Sequence, residues 1–175
     1  MKPLSIIPAN DTFRALQNLV DVYEGKKAVF ITAPVINGLM PQGHGLEDFA
    51  AEDTALIIES SGSTGKPKKI QLSLDAMKFS ANASAKRLGG HGQWILALPI
   101  NYIAGVNVLF RSIVADTVPI MMNTAVPFTA EAFFRSASHL SHARKYTSLV
   151  PIQLQRLIDA AKANLGDLAR LREFS

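Results

Sequence analysis

The sequence has no cysteine among its 175 residues. Disulfide frameworks and thiolate metal sites are therefore excluded, and a reducing, cytoplasmic setting is expected. No apolar run approaches the roughly 18 residues of a membrane span. The opening segment "MKPLSIIPANDTFRAL" offers one lysine and a short apolar run cut by Pro8 and Asn10. It makes a poor secretory signal. There is no block of like charge and no basic stripe with interleaved aromatics, so nucleic acid is not expected as a partner. The net charge of +4 comes from 18 basic and 14 acidic residues scattered along the chain. That pattern reads as a solvated surface, with an anionic ligand as the alternative.

What is present is a globular composition, 48% apolar and 18% charged, in a chain long enough for one cored domain or part of a larger one. Asn10 or Asp11 can cap a first helix with Phe13, Leu16, Leu19, Val20 and Tyr23 on one face. "KKAVFIT" reads as a strand. Residues 33–53 carry Pro34, Gly38, Pro41, Gly43 and Gly45 and read as a loop or linker. "TALIIES" and "KIQLS" are strands on either side of a glycine-rich segment. Ser73 caps a helix from Leu74 to about Leu88, stopped by Gly89 and Gly90. "WILALP", "TVPIMM" and "YTSLV" are further strands. They alternate with the helices "IAGVNVLFRSIVA", one capped by Thr129, and "PIQLQRLIDAAKANL", which Pro151 opens and Gly166 closes. The alternation from Trp94 to Leu165 specifies βαβ units. The expected fold is α/β, a mostly parallel sheet with helices on both faces.

The segment between "TALIIES" and "KIQLS", "SSGSTGKPK" at residues 60–68, carries the chemistry. Gly62 and Gly65 permit the positive φ angles by which successive N–H groups turn into one concavity. Ser61, Ser63 and Thr64 add hydroxyl donors, and Lys66 and Lys68 add positive charge. Pro67 fixes the exit. The natural partner of such a surface is a phosphate chain. It is not a Walker loop: its glycines are two residues apart rather than four, and Lys66 is followed by Pro67 instead of Ser or Thr.

This string resembles the phosphate-binding loop of the adenylate-forming superfamily, which includes acyl-CoA synthetases, luciferases and peptide-synthetase adenylation domains. Two further segments follow in the family's order. "LALPINYIAG" is similar to the proline–turn–glycine segment that lines the acyl pocket. "YTSLVPIQLQRLI" is similar to the strand and helix that come next. Its "SLVPIQLQRLI" part, an arginine six residues after the pocket glycine (Arg111 after Gly105) and the early position of the loop are most similar to the 2-succinylbenzoate–CoA ligases of menaquinone biosynthesis. Two positions depart from the family pattern: Tyr102 stands where many relatives have histidine, and Lys69 where the loop usually ends in glycine.

The resemblance implies an ATP-dependent acid–CoA ligase. A carboxylate attacks the α-phosphate of ATP, pyrophosphate leaves, and coenzyme A displaces AMP from the acyl-adenylate. It assigns Ser61, Gly62, Ser63, Thr64, Gly65, Lys68 and, more weakly, Lys66 to the ATP phosphates, with Mg²⁺ sharing their charge. It assigns Tyr102, Gly105, Arg111 and Ser148 to the carboxylic-acid substrate, Arg111 to the acid's unreacted carboxylate. On this reading residues 1–175 are the N-terminal portion of a large AMP-binding domain. The ribose-binding aspartate, the magnesium-binding acid and the C-terminal catalytic lysine fall beyond Ser175, so the piece alone is not expected to turn over. Self-association is left open by the uncovered sheet edge such a piece would have. The alternatives are a non-catalytic nucleotide or anion binder, and a ligase for another aryl or fatty acid. His139 and His142, three apart, are a weak metal pair, and Met121 and Met122 read as core.

Overall fold

The computed structural model describes residues 1–39, 49–60, 68–163, 172 and 174. The segment 61–67, expected to bind phosphate, and Gly166, expected to close the last helix, thus lie outside the described residues.

Among the described residues two sheets form. The first runs β3 (Phe49–Ala50), β1 (Lys2–Pro8), β2 (Ala28–Thr32), β4 (Thr54–Ser60), β5 (Lys68–Ser73) in spatial order. Its central strands β1, β2 and β4 are parallel, and the outer strands β3 and β5 are antiparallel to their neighbours. The second places β6 (Gln93–Leu96) between β7 (Ile120–Met121) and β8 (Lys145–Thr147), all parallel. The expected α/β architecture is present, with two differences of detail. A strand forms over Lys2–Pro8, where the sequence shows only a short apolar run broken by Pro8. Parallel pairing with the fully buried β2 supplies the context that local pattern lacks. A two-residue strand, β3, also falls inside the stretch expected to be loop.

Three helices separate the sheets: α1 (Thr12–Tyr23), α2 (Leu74–Arg87) and α3 (Ile103–Val114). One apolar cluster joins them to Ile7, Val29, Ile31, Leu56 and Ile58 of the first sheet and to Trp94, Leu96 and Tyr146 of the second. Ile95 of β6 and Ala97 just after it face the other way. They pack with Phe133 and Phe134 of α4 (Ala130–Ala137) and Leu157 of α5 (Pro151–Ala163). Strand periodicity thus lets one short strand serve two cores. The layers are sheet, helices, sheet, helices.

Local chemistry fixes the helix ends. The side chains of Asp11, Ser73 and Thr129 accept hydrogen bonds from the backbone N–H groups of Arg14, Ala76 and Ala132. Gly89 at φ +82° stops α2 in a conformation that disfavours a side chain. α1 turns differently from its apolar pattern: Ala15, Leu19 and Val22 are buried, whereas Phe13 is 66% and Val20 41% exposed. Ala15 is fully buried in the apolar cluster, and Phe13 is turned out of it.

Candidate functional site

Parallel sheets bind ligands beyond the carboxyl ends of their strands. Here a cavity of about 540 Å³ opens there, lined by residues that follow four strands: Ala9 after β1, Pro34 after β2, Pro99 after β6 and Met122 after β7. α1 contributes Thr12 and Phe13, and the β6–α3 turn contributes Asn101 and Tyr102. The cavity therefore spans the two sheets.

The β6–α3 turn owes its shape to Gly105. A Cβ there would lie 2.3 Å from the Pro99 carbonyl oxygen and 2.9 Å from that of Leu98, so only glycine lets α3 start against this backbone. The Gly105 and Val106 N–H groups donate to the Tyr102 carbonyl at 3.0 and 3.2 Å. Gly105 is itself buried. Its place in the structure is the support of the turn that carries Asn101 and Tyr102. Tyr102 occupies the N-cap position of α3 and makes no side-chain capping bond. Its ring is 57% exposed and borders the cavity.

Arg111 lies elsewhere. It is nine residues after Tyr102, about 13 Å along the helix axis, in the last turn of α3 near the start of β6. Its guanidinium sits 5.0 Å over the Trp94 ring. Its Nε is buried with no hydrogen-bond partner among the described residues. Desolvation lowers its pKa from the ordinary arginine value, with no compensating acid. It lines the groove between α2 and Trp94, not the cavity of Tyr102. The structure does not bring Arg111 and Tyr102 to one site.

Ser148 follows β8 at the carboxyl edge and is half-buried, outside the lining of the Tyr102 cavity. A second cavity of about 390 Å³ lies on the α4 side of the sheet, bounded by Phe128, Arg135 and Gln153 and sharing Pro99, Met122, Asn123 and Thr124 with the first. Met121 and Met122 are half-buried, pack against the two apolar clusters as expected, and also border these cavities. His139 and His142 use ring Nδ1 locally: the first pairs with the Arg135 carbonyl at 2.8 Å, the second accepts from the Arg144 N–H at 3.0 Å. Among the described residues no group of three or more His, Asp or Glu could hold a metal ion, so no magnesium ligand is assigned.

Of the residues expected at the ATP phosphates, Lys68 is described. It pairs with Ser60 across β4 and β5, and the Ser60 hydroxyl donates to the Lys68 carbonyl at 3.4 Å. β4 is parallel to β2, so this pair lies at the carboxyl edge, the end of the sheet that carries the cavity. The other six, Ser61, Gly62, Ser63, Thr64, Gly65 and Lys66, lie outside the described residues. Sequence reasoning missed Phe13, Asn101, Asn123 and Thr124 as cavity residues. Asn101 was legible from its place in the quoted pocket segment. Phe13 was hidden by a helical pattern that put it in the core.

Residues 9–174 match the family model described as AMP-binding enzyme. The chain belongs to the AMP-binding enzyme family. It is 34% identical over 174 residues to a Mycobacterium tuberculosis protein named "Probable 2-succinylbenzoate--CoA ligase", covering 96% of this chain and 44% of that protein. A 2-succinylbenzoate--CoA ligase of Bacillus licheniformis is 34% identical over 104 residues, 58% of this chain and 21% of that protein. This AMP-binding chain therefore spans less than half the length of these relatives. Among solved structures it is similar to the o-succinylbenzoate CoA synthetase of Bacillus subtilis. The complex with the acyl-adenylate intermediate gives a TM-score of 0.56 at 20% identity, covering 90% of this chain and 51% of that one. The complex with ATP and magnesium ion gives 0.56 at 19%, covering 90% and 52%. These likenesses establish the fold. No helix of the described residues is long and apolar enough to cross a membrane.

Proposed function

We propose that this chain is the N-terminal portion of the AMP-binding domain of an acid–CoA ligase that forms an acyl-adenylate and then a thioester, with 2-succinylbenzoate as its acid. The observation that carries the reading is the place of the segment 60–68. Its ends, Ser60 and Lys68, are held in register at the carboxyl edge of parallel strands, where a donor-rich turn can meet a nucleotide bound across the sheets. The sequence relatives named for this reaction support the acid.

In this reading Ser61, Gly62, Ser63, Thr64 and Gly65 direct N–H and hydroxyl donors at the β- and γ-phosphates, and Lys68 and Lys66 add charge as pyrophosphate departs. Most of the rate enhancement available to such residues is positioning and electrostatic stabilisation. Mg²⁺ bound with ATP would offset part of the phosphate charge. The acid lies beside Tyr102, on a turn that Gly105 shapes, with its reacting carboxylate toward the nucleotide. Ser148 stands at the same edge. Coenzyme A enters as the second nucleophile. The groups that hold the ribose and finish the reaction belong to chain beyond this portion, so these residues alone bind and do not turn over.

The test is ATP–pyrophosphate exchange catalysed by the gene product. Exchange that requires 2-succinylbenzoate, and that falls at least tenfold in Lys68→Ala, is the expected result. ATP binding with no acid-dependent exchange would instead identify a passive nucleotide binder. Exchange driven by a fatty acid in preference would reassign the substrate.

A further inference from the structure

We infer that Phe13 and Tyr102 form an aromatic-ring subsite in the cavity between the sheets, and that the amides of Asn101 and Asn123 hold the bound acid's unreacted carboxylate. This rests on the ligase reading for its choice of acid but not for its geometry. Scattered exposed apolar side chains need no explanation. Here, however, two aromatic residues from different elements, 66% and 57% exposed, border one cavity of about 540 Å³. That size and mixed lining suit a small ligand. Neither residue is explained by its own element. Phe13 is turned out of the α1 core face, and Tyr102 holds an N-cap position where it caps nothing. Rings so placed offer flat faces and edges to an arene.

The polar groups give the cavity a direction. Asp11, at the start of α1 beside Phe13, puts a carboxylate on that wall, with Oδ1 accepting from the Arg14 N–H at 3.2 Å. A ligand carboxylate is repelled there, and the neutral ring is not. Elsewhere in the lining stand Asn101, which has no hydrogen-bond partner among the described residues, and Asn123, whose Oδ1 accepts from the Ala125 N–H at 3.0 Å while its amide N–H pair stays free. Both can donate to a carboxylate or ketone oxygen. Among the described residues no lysine, arginine or histidine lines this cavity, and Arg135 borders the adjoining one that Asn123 also lines. The free amide donors of Asn101 and Asn123 are what the described lining offers the second carboxylate, and the ring lies toward α1.

Titration of the gene product with 2-succinylbenzoate and with benzoate, read by calorimetry, tests this. Phe13→Ala should weaken both acids about three- to tenfold, and Phe13→Tyr should restore them. Asn101→Asp should weaken 2-succinylbenzoate more than tenfold and benzoate less, because it puts a negative charge against the second carboxylate. ATP affinity and the far-ultraviolet spectrum should be unchanged in all three. If 2-succinylbenzoate binds and neither Phe13→Ala nor Asn101→Asp alters its affinity, the subsite is wrong while the ligase reading survives. If only benzoate binds, and Phe13→Ala weakens it, the ring subsite stands and the choice of acid falls. Failure of both acids to bind overturns the inference.

Discussion

At the scale of single residues, Gly105 and Arg111 are each constrained by what lies against them. Gly105 is needed because backbone, not ligand, fills the space where its Cβ would be. Gly105→Ala should cost about 1–3 kcal/mol by overpacking, measured as a lower urea midpoint at unchanged m-value. Its effect on acid binding should be secondary, through displacement of Tyr102. For Arg111 two effects oppose each other. The cation over Trp94 contributes about 0.5–2 kcal/mol, and its unpaired buried Nε costs about 1–3 kcal/mol. They nearly cancel, so Arg111→Met, which keeps most of the volume, should stay within about 1 kcal/mol of the parent. Arg111→Ala should be less stable than Arg111→Met, because it also leaves a gap against the indole. Thermal melts followed by the fluorescence of Trp94, the sole tryptophan, distinguish the two.

At the scale of elements, the register of the second sheet depends on Gln93. Its Nε2–H donates to the Val118 carbonyl at 2.9 Å, and its Oε1 accepts from the Ser141 and His142 N–H groups at 2.9 and 3.3 Å. One side chain thus ties β6 to the approaches of both β7 and β8. Gln93→Ala strands three backbone groups and should cost about 2–4 kcal/mol, seen as early hydrogen exchange at β7 and β8. By contrast Ser73→Ala removes one exposed cap and should cost about 1 kcal/mol. The helices with caps and glycine stops were legible in the sequence because Asp11, Ser73, Thr129 and Gly89 act on their own neighbours. What was not legible depended on distant partners. The strand over Lys2–Pro8 exists through pairing with β2, and β3 through pairing with β1. The burial face of α1 (Ala15, Leu19 and Val22) is set by the cluster it packs into, which draws on both sheets. In the site, the pocket segment was readable as a motif, yet its companion Phe13 is about ninety positions away, and no local pattern could join them.

At the scale of the whole molecule, the carboxyl ends of two sheets face one cavity, and the loop-bearing pair Ser60–Lys68 lies on that same edge. In the ligase reading this common edge lets one ligand reach both the segment 61–67 and the cavity beside Tyr102. It also accounts for the resemblance to the Bacillus subtilis synthetase persisting in fold at 20% identity, since strand order and edge position outlast individual side chains. In the ligase reading, removing Mg²⁺ should weaken ATP binding to the gene product and leave benzoate binding unaffected, because the cation offsets phosphate charge and not the charge of the acid. Paired titrations with and without chelator check this.

The most direct measurement is a crystal structure of the gene product with ATP and magnesium ion. The polyphosphate should lie in the turn between Ser60 and Lys68, with backbone N–H groups of residues 61–65 directed at its oxygens. Polyphosphate density at any other place on the molecule, with that turn empty, would contradict the account.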